Sequence, residues 1–121
     1  MVDSSLDGLW NATTGKRLGQ PDRLRGWAAL AWGWIARRPP ADVVLVLAPC
    51  SRIHTFGVPV SIDVVHCDCD GTVLCLYTLM PNRIGPRVSG TRSIWESRAG
   101  FLTELASVGD RLERGLGRNG I

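Results

Sequence analysis

A chain of 121 residues, 45% of them apolar, can build one compact core and is too short for two. No stretch approaches the roughly 20 apolar residues of a membrane helix; the best, residues 27–36, is broken by Gly33. The net charge is +3, and Lys16 is the single lysine among fourteen basic residues, so arginine, which grips phosphate and carboxylate with two parallel bonds, dominates the positive surface.

Met1 to Trp10 carries Asp3 and Asp7 and lacks a basic start followed by an apolar core, which argues against a signal peptide and predicts a cytoplasmic location. Residues 9–18 read as a short hairpin turning at Thr14-Gly15-Lys16. Pro21-Asp22 then opens a helix, with Asp22 as N-cap. Leu24, Trp27, Ala28, Ala31, Trp34 and Ile35 recur at helical spacing as one apolar stripe, and Pro39-Pro40 terminates it.

Residues 43–47 form a continuous apolar run of the length of a strand buried on both faces. Residues 52–56 read as a short strand or loop, with Gly57 and Pro59 as breakers. Residues 62–68 and 72–79, rich in β-branched side chains, give the clearest strands. Between them Asp68-Cys69-Asp70-Gly71 suits a type I turn followed by glycine in the left-handed region. This turn predicts a register pairing Asp68 with Thr72, Cys67 with Val73 and Val65 with Cys75, which leaves His66 beside Leu74 on the other face.

A Pro/Gly/Arg loop over 80–90 leads to a strand over 91–97 and a short helix over 100–107. A last strand is expected around 111–113, and residues 114–121, with three glycines, read as a flexible tail beyond a single domain of residues 1–113. Strands outnumber helices and the connections are short. The expected fold is therefore α+β: a mainly antiparallel β-sheet curled into a small partial barrel, with two short helices packed on it.

The segment PCSRIHTFGVPVSIDVVHCDCDGTVL, residues 49–74, resembles the signature of the domain of unknown function 192 family, also called uncharacterised protein family 0127. Arg23-Leu24-Arg25-Gly26-Trp27 resembles that family's arginine-rich helix start. Ser93-Ile94-Trp95-Glu96 with Ala99-Gly100 resembles the strand, glutamate and glycine before its last helix, and Val108-Gly109-Asp110-Arg111 its closing turn. The likeness spans residues 9–113 and implies a compact β-rich domain; it implies no activity, because none is established for the family. His54-Thr55-Phe56-Gly57 departs from the commoner tryptophan–methionine–lysine–asparagine run.

Cys50, Cys67, Cys69 and Cys75 read as reduced thiols in a chain without a secretory signal. Cys50, His54, His66, Cys67, Asp68 and Cys69 are ligand types a zinc site uses, but the usual paired spacings are absent and the predicted register divides them between faces. No metal and no cofactor are expected. Asp63, set between Ile62 and Val64, must be buried and so needs donors. Two sources are open: backbone amides of the 57–61 loop, or Arg52 or His54 in a shared pocket, the second arrangement being suited to acid–base work. Glu96 beside Trp95 poses the same question.

Arg83, Arg87, Arg92 and Arg98 occupy one stretch with Glu96 as its only acid. The stretch suits an anionic ligand or nucleic acid, although Trp95 is its lone aromatic, which disfavours nucleic acid against a solvated loop. The sequence therefore favours a non-catalytic accessory or binding module for a small anionic ligand or a protein partner, with Arg52, His54, Asp63 and Glu96 as the binding residues. The alternative is a small hydrolase or metal-dependent enzyme using Cys50, His54 and Asp63.

Overall fold

A computed structural model of the chain describes residues 8–21 and 43–115. They form strands β1 (Gly8–Asn11), β2 (Arg17–Pro21), β3 (Val43–Leu47), β4 (Ile62–Cys67), β5 (Val73–Leu79), β6 (Ser93–Arg98) and β7 (Leu112–Gly115), with one short helix, α1 (Leu102–Leu105), before β7. The strands join in one sheet in the order β5-β4-β6-β3-β2-β1-β7. Every neighbouring pair is antiparallel except β2 with β3.

The fold is thus mostly antiparallel β-sheet with very little helix. Among the described residues the sheet does not close into a barrel: its ends are β5 and β7, which meet at one corner through the Thr72–Arg111 bridge. Of the two expected helices, α1 lies where the second was placed and is shorter than expected. The first, over residues 22–38, falls outside the described residues. β7 runs on to Gly115 because Arg114 and Gly115 pair with Leu9 and Gly8, which takes two residues from the stretch read as tail.

β4 and β6 are interior strands, β4 buried along its whole length and β6 from Ile94 to Ser97, and each face of the sheet carries part of the core. On one face Val65, Cys67, Val73 and Trp95 pack against Leu9, Leu18, Leu102, Ala106 and Leu112. On the other, Leu45, Ile62, Val64, Leu79 and Ile94 pack beneath Ile53, Val58 and Val60. Two loops, residues 48–61 and 80–92, lie side by side over this second face. The Thr55 amide donates to the Arg83 carbonyl (2.8 Å), the Gly85 amide to the Ile53 carbonyl (2.9 Å), and His54 bridges to Ile84.

The β4–β5 turn forms as the sequence dictates. The Asp68 carboxylate accepts the Asp70 and Thr72 amides at 2.9 and 3.0 Å, and Gly71 takes φ 83°. Cys67 faces Val73 as expected, but a bulge follows, and His66 then faces Cys75 with Val65 opposite Leu76. The register was expected to keep Cys75 on the face of Cys67. One extra residue looped out of β5 moves Cys75 to the face of His66, without the two-residue turn such a shift would otherwise need.

A β-carbon on Gly71 would collide with the Leu112 carbonyl, whose own amide donates to the Gly71 carbonyl at 2.8 Å. We expect Gly71→Ala to lower unfolding stability by about 3 kcal/mol, since steric conflict adds to the left-handed strain. Gly15 has φ 79° with nothing near its β-carbon position, so Gly15→Ala should cost only about 1 kcal/mol. Urea unfolding of the two variants measures the difference.

Candidate functional site

Asp63 is fully buried on β4, as its apolar flanks require, but its donors are not those of the 52–61 segment. Its Oδ1 accepts the Thr78 hydroxyl at 2.8 Å. Its Oδ2 accepts the Gly100 amide (2.9 Å), the Thr103 amide (3.0 Å) and the Thr103 hydroxyl (2.8 Å). The physical reason is the strand's alternation. Asp63 projects with Val65 and Cys67 toward the α1 side of the sheet, while Arg52 and His54 belong to the loop layer on the other side. The carboxylate fastens the β6–α1 turn to the sheet. Its four donors all come from Thr78, Gly100 and Thr103, and the side chain is fully buried, so it serves the fold rather than a substrate.

The structure therefore separates Asp63 from Cys50 and His54. Those two also make different bonds: the Cys50 thiol donates to the Arg52 carbonyl (3.5 Å), and His54 Nδ1 accepts the Phe56 amide (3.2 Å) while its ring stacks on Phe56. Burial raises the Cys50 pKa, and the charge of Glu96 raises it further. A thiol held in its protonated form is a poor nucleophile. Arg52 donates from Nε to the Gly85 carbonyl at 2.9 Å and so ties the two loops together.

Beneath the loop layer lies a polar cluster whose members the sequence does not bring together: His66 and Glu96 stand out in it separately, and Tyr77 does not. His66 is fully buried, with Nδ1 bonded to the Thr91 hydroxyl (3.0 Å) and Nε2 to the Tyr77 hydroxyl (2.7 Å). Burial lowers the His66 pKa and keeps the imidazole neutral. Burial also raises the Tyr77 pKa, with the charges of Cys75, Glu96 and Cys50 adding to it. Glu96 projects onto the same face, facing Val64 on one side and Leu45 on the other. It is 7% exposed, makes no hydrogen bond to the described residues, and has its pKa pushed up to about 7 by burial. The order of pairing along β4, β5 and β6 brings His66, Tyr77 and Glu96 to one face, and the bulge is what aligns β5 with it.

No three His, Cys, Asp or Glu side chains among the described residues are placed to hold a metal ion. Both His66 nitrogens are engaged, and burial pushes the Cys67 thiol up to about 12. Cys69 is exposed at the turn tip.

The outer surface of the loop layer has its own character. Residues 50–61 and 80–92 contain no acidic side chain, and they present Arg52, His54, Arg83, Arg87 and Arg92. Beside them Phe56, Met80 and Ile84 stand 50%, 57% and 55% exposed. They are neighbours because Thr55 bonds the Met80 carbonyl (2.5 Å) and Gly57 bonds the Asn82 side chain (3.3 Å). Of the four binding residues read from the sequence, Arg52, His54 and Glu96 thus belong to this side of the sheet, and Asp63 does not.

No family model matches the chain, and no curated protein does. Two solved structures share its fold. A protein of unknown function from Novosphingobium aromaticivorans DSM 12444 is 17% identical, with a TM-score of 0.71 over 87% of this chain and 82% of that one. A "putative transcription regulator" from Sinorhizobium meliloti 1021 is 19% identical, with a TM-score of 0.61 over 88% of this chain and 89% of that one. Identities this low establish the shared fold and nothing of activity. No helix among the described residues is long and apolar enough to cross a membrane.

Proposed function

We propose that this chain is a non-catalytic binding module whose recognition face is the loop layer of residues 50–61 and 80–92, and that it takes a protein partner presenting carboxylates beside apolar side chains. The observation that carries the reading is the coincidence, on one acid-free surface, of exposed Phe56, Met80 and Ile84 with Arg83, Arg87 and His54. Large apolar side chains grouped on a surface mark interaction sites. Arginine forks pair with carboxylates. Phosphate backbone alone makes no use of Met80 or Ile84, and the one aromatic among the three, Phe56, is stacked on His54. These features favour protein over nucleic acid.

The catalytic alternative loses its support with the separation of Asp63 from Cys50 and His54, because acid–base partners must come within hydrogen-bond reach. The test is fluorescence anisotropy with three labelled probes: an acidic–apolar peptide, a basic–apolar peptide and a single-stranded oligodeoxynucleotide. We expect the acidic peptide to bind best, and Arg83→Glu/Arg87→Glu to weaken it by at least about tenfold while unfolding stability stays unchanged. Tighter binding of the oligodeoxynucleotide, or indifference to the charge reversal, would overturn the reading.

A further inference from the structure

We propose that the open edge of β5, residues 74–79, receives an extended acidic segment of the partner as an added strand. This rests on the reading of the loop layer as the recognition face, and it specifies how the partner docks. Among the described residues β5 is an end strand, hydrogen-bonded within the sheet to β4 alone. Its first residue is covered from outside: Val73 donates to the Asp110 carbonyl (2.8 Å) and accepts from the Gly109 amide (2.9 Å). From Leu74 onward no strand among the described residues pairs with that outer edge.

The uncovered length is about 20 Å at the ordinary rise of a strand. Beyond the bulge at Leu74 it carries no charged or proline residue of the kind that blocks edge pairing. Residues 73–79, VLCLYTL, hold no lysine, arginine, acid or proline, and Leu74 to Tyr77 are all half-buried. An exposed apolar edge of this length is either an aggregation hazard or a docking site, and proteins that take peptides by strand addition use such an edge.

The charge beside the edge selects the occupant. The loop of residues 80–92 runs along β5: Gly85 lies so close to Tyr77 that a β-carbon there would press on its hydroxyl, and Gly90 approaches Leu74. Arg87 lies between those two contacts and is exposed. No acidic residue occurs from Gly71 to Trp95. Two copies of this chain joined antiparallel through β5 would keep the same face uppermost and bring Arg83 and Arg87 of both copies together. Like charges set opposite each other disfavour that pairing. A strand with carboxylates on the loop side meets the arginines with complementary charge and the half-buried leucines with its apolar side chains.

The test uses the full chain, labelled with nitrogen-15, and a capped octapeptide of alternating glutamate and valine. Two further peptides of the same sequence carry N-methyl groups on alternate residues, one on the glutamates and one on the valines, so that each lacks the donors of one edge. We expect the first peptide to shift the amides of residues 74–79 together with those of 80–90, and Arg87→Glu to weaken it. One N-methyl register should bind at least about tenfold more weakly. Equal binding by both N-methyl registers, with shifts confined to 80–90, would overturn strand addition while leaving the acidic recognition face intact. No binding of the unmethylated peptide would overturn both. A stable dimer in sedimentation, with residues 74–79 protected and the peptide excluded, would assign the edge to a second copy and overturn the proposal.

Discussion

Asp63→Ala is expected to lower unfolding stability by about 3 kcal/mol, because it strips four donors of their acceptor at once. Thr78 on β5 loses its partner, and Gly100 and Thr103 lose the carboxylate that holds the β6–α1 turn against the sheet. The loss is moderated by water reaching exposed Gly100. Asp63→Asn should cost about 1 kcal/mol, since the amide oxygen can still accept at the turn and the Thr78 hydroxyl can rotate to accept from the amide nitrogen. Urea unfolding of both variants measures the pair. Equal losses would mean that the negative charge, and not the acceptor geometry, fastens the turn.

Glu96 should act in the opposite sense. In the unfolded chain its carboxyl loses a proton through pH 4.5, and in the folded chain only through about 7. The folded state therefore holds the extra proton between those values, and stability falls as pH rises across that window. Above it the buried charge costs about 3 kcal/mol, with no hydrogen bond from the described residues to offset it. We expect Glu96→Gln to stabilise the protein by about 2 kcal/mol at pH 8 and to change little at pH 5, the remainder being the cost of an amide in the same apolar setting. His66, whose pKa burial lowers, contributes with the reverse slope below its ordinary value of 6.5. The comparison between Glu96→Gln and wild type at each pH isolates the carboxyl from it. A constant difference between the two proteins across pH 5 to 8 would show that Glu96 is not held in its protonated form.

Much of the sheet is legible in the sequence because the short apolar runs at 43–47, 62–67 and 73–79, seeded with β-branched and aromatic residues, leave few alternatives. The bulge is not. Thr72, Val73 and Leu74 are all good strand formers, and no residue type among them marks which one loops out, yet that residue decides which face Cys75 and Tyr77 occupy. The burial of Asp63 follows from its flanks, but its donors do not. β4 is buried along its whole length, so no polar alternation reveals which face the carboxylate joins. The donors Gly100 and Thr103 also lie 37 and 40 residues away. The arginines of the 80–92 loop are visible in the sequence. Their assembly with Phe56 is not, because it depends on two loops meeting through backbone bonds at Thr55 and Ile53.

These placements converge on one division of labour: the carboxylate on the α1 side holds the fold, and the arginines on the loop side hold the partner. Isothermal titration of the alternating glutamate–valine octapeptide into wild type, Asp63→Asn and Arg83→Glu/Arg87→Glu tests that division directly. The account predicts that Asp63→Asn binds as wild type does and that the double charge reversal loses binding with its stability intact. Loss of binding in a fully folded Asp63→Asn, with the double variant unaffected, would contradict it.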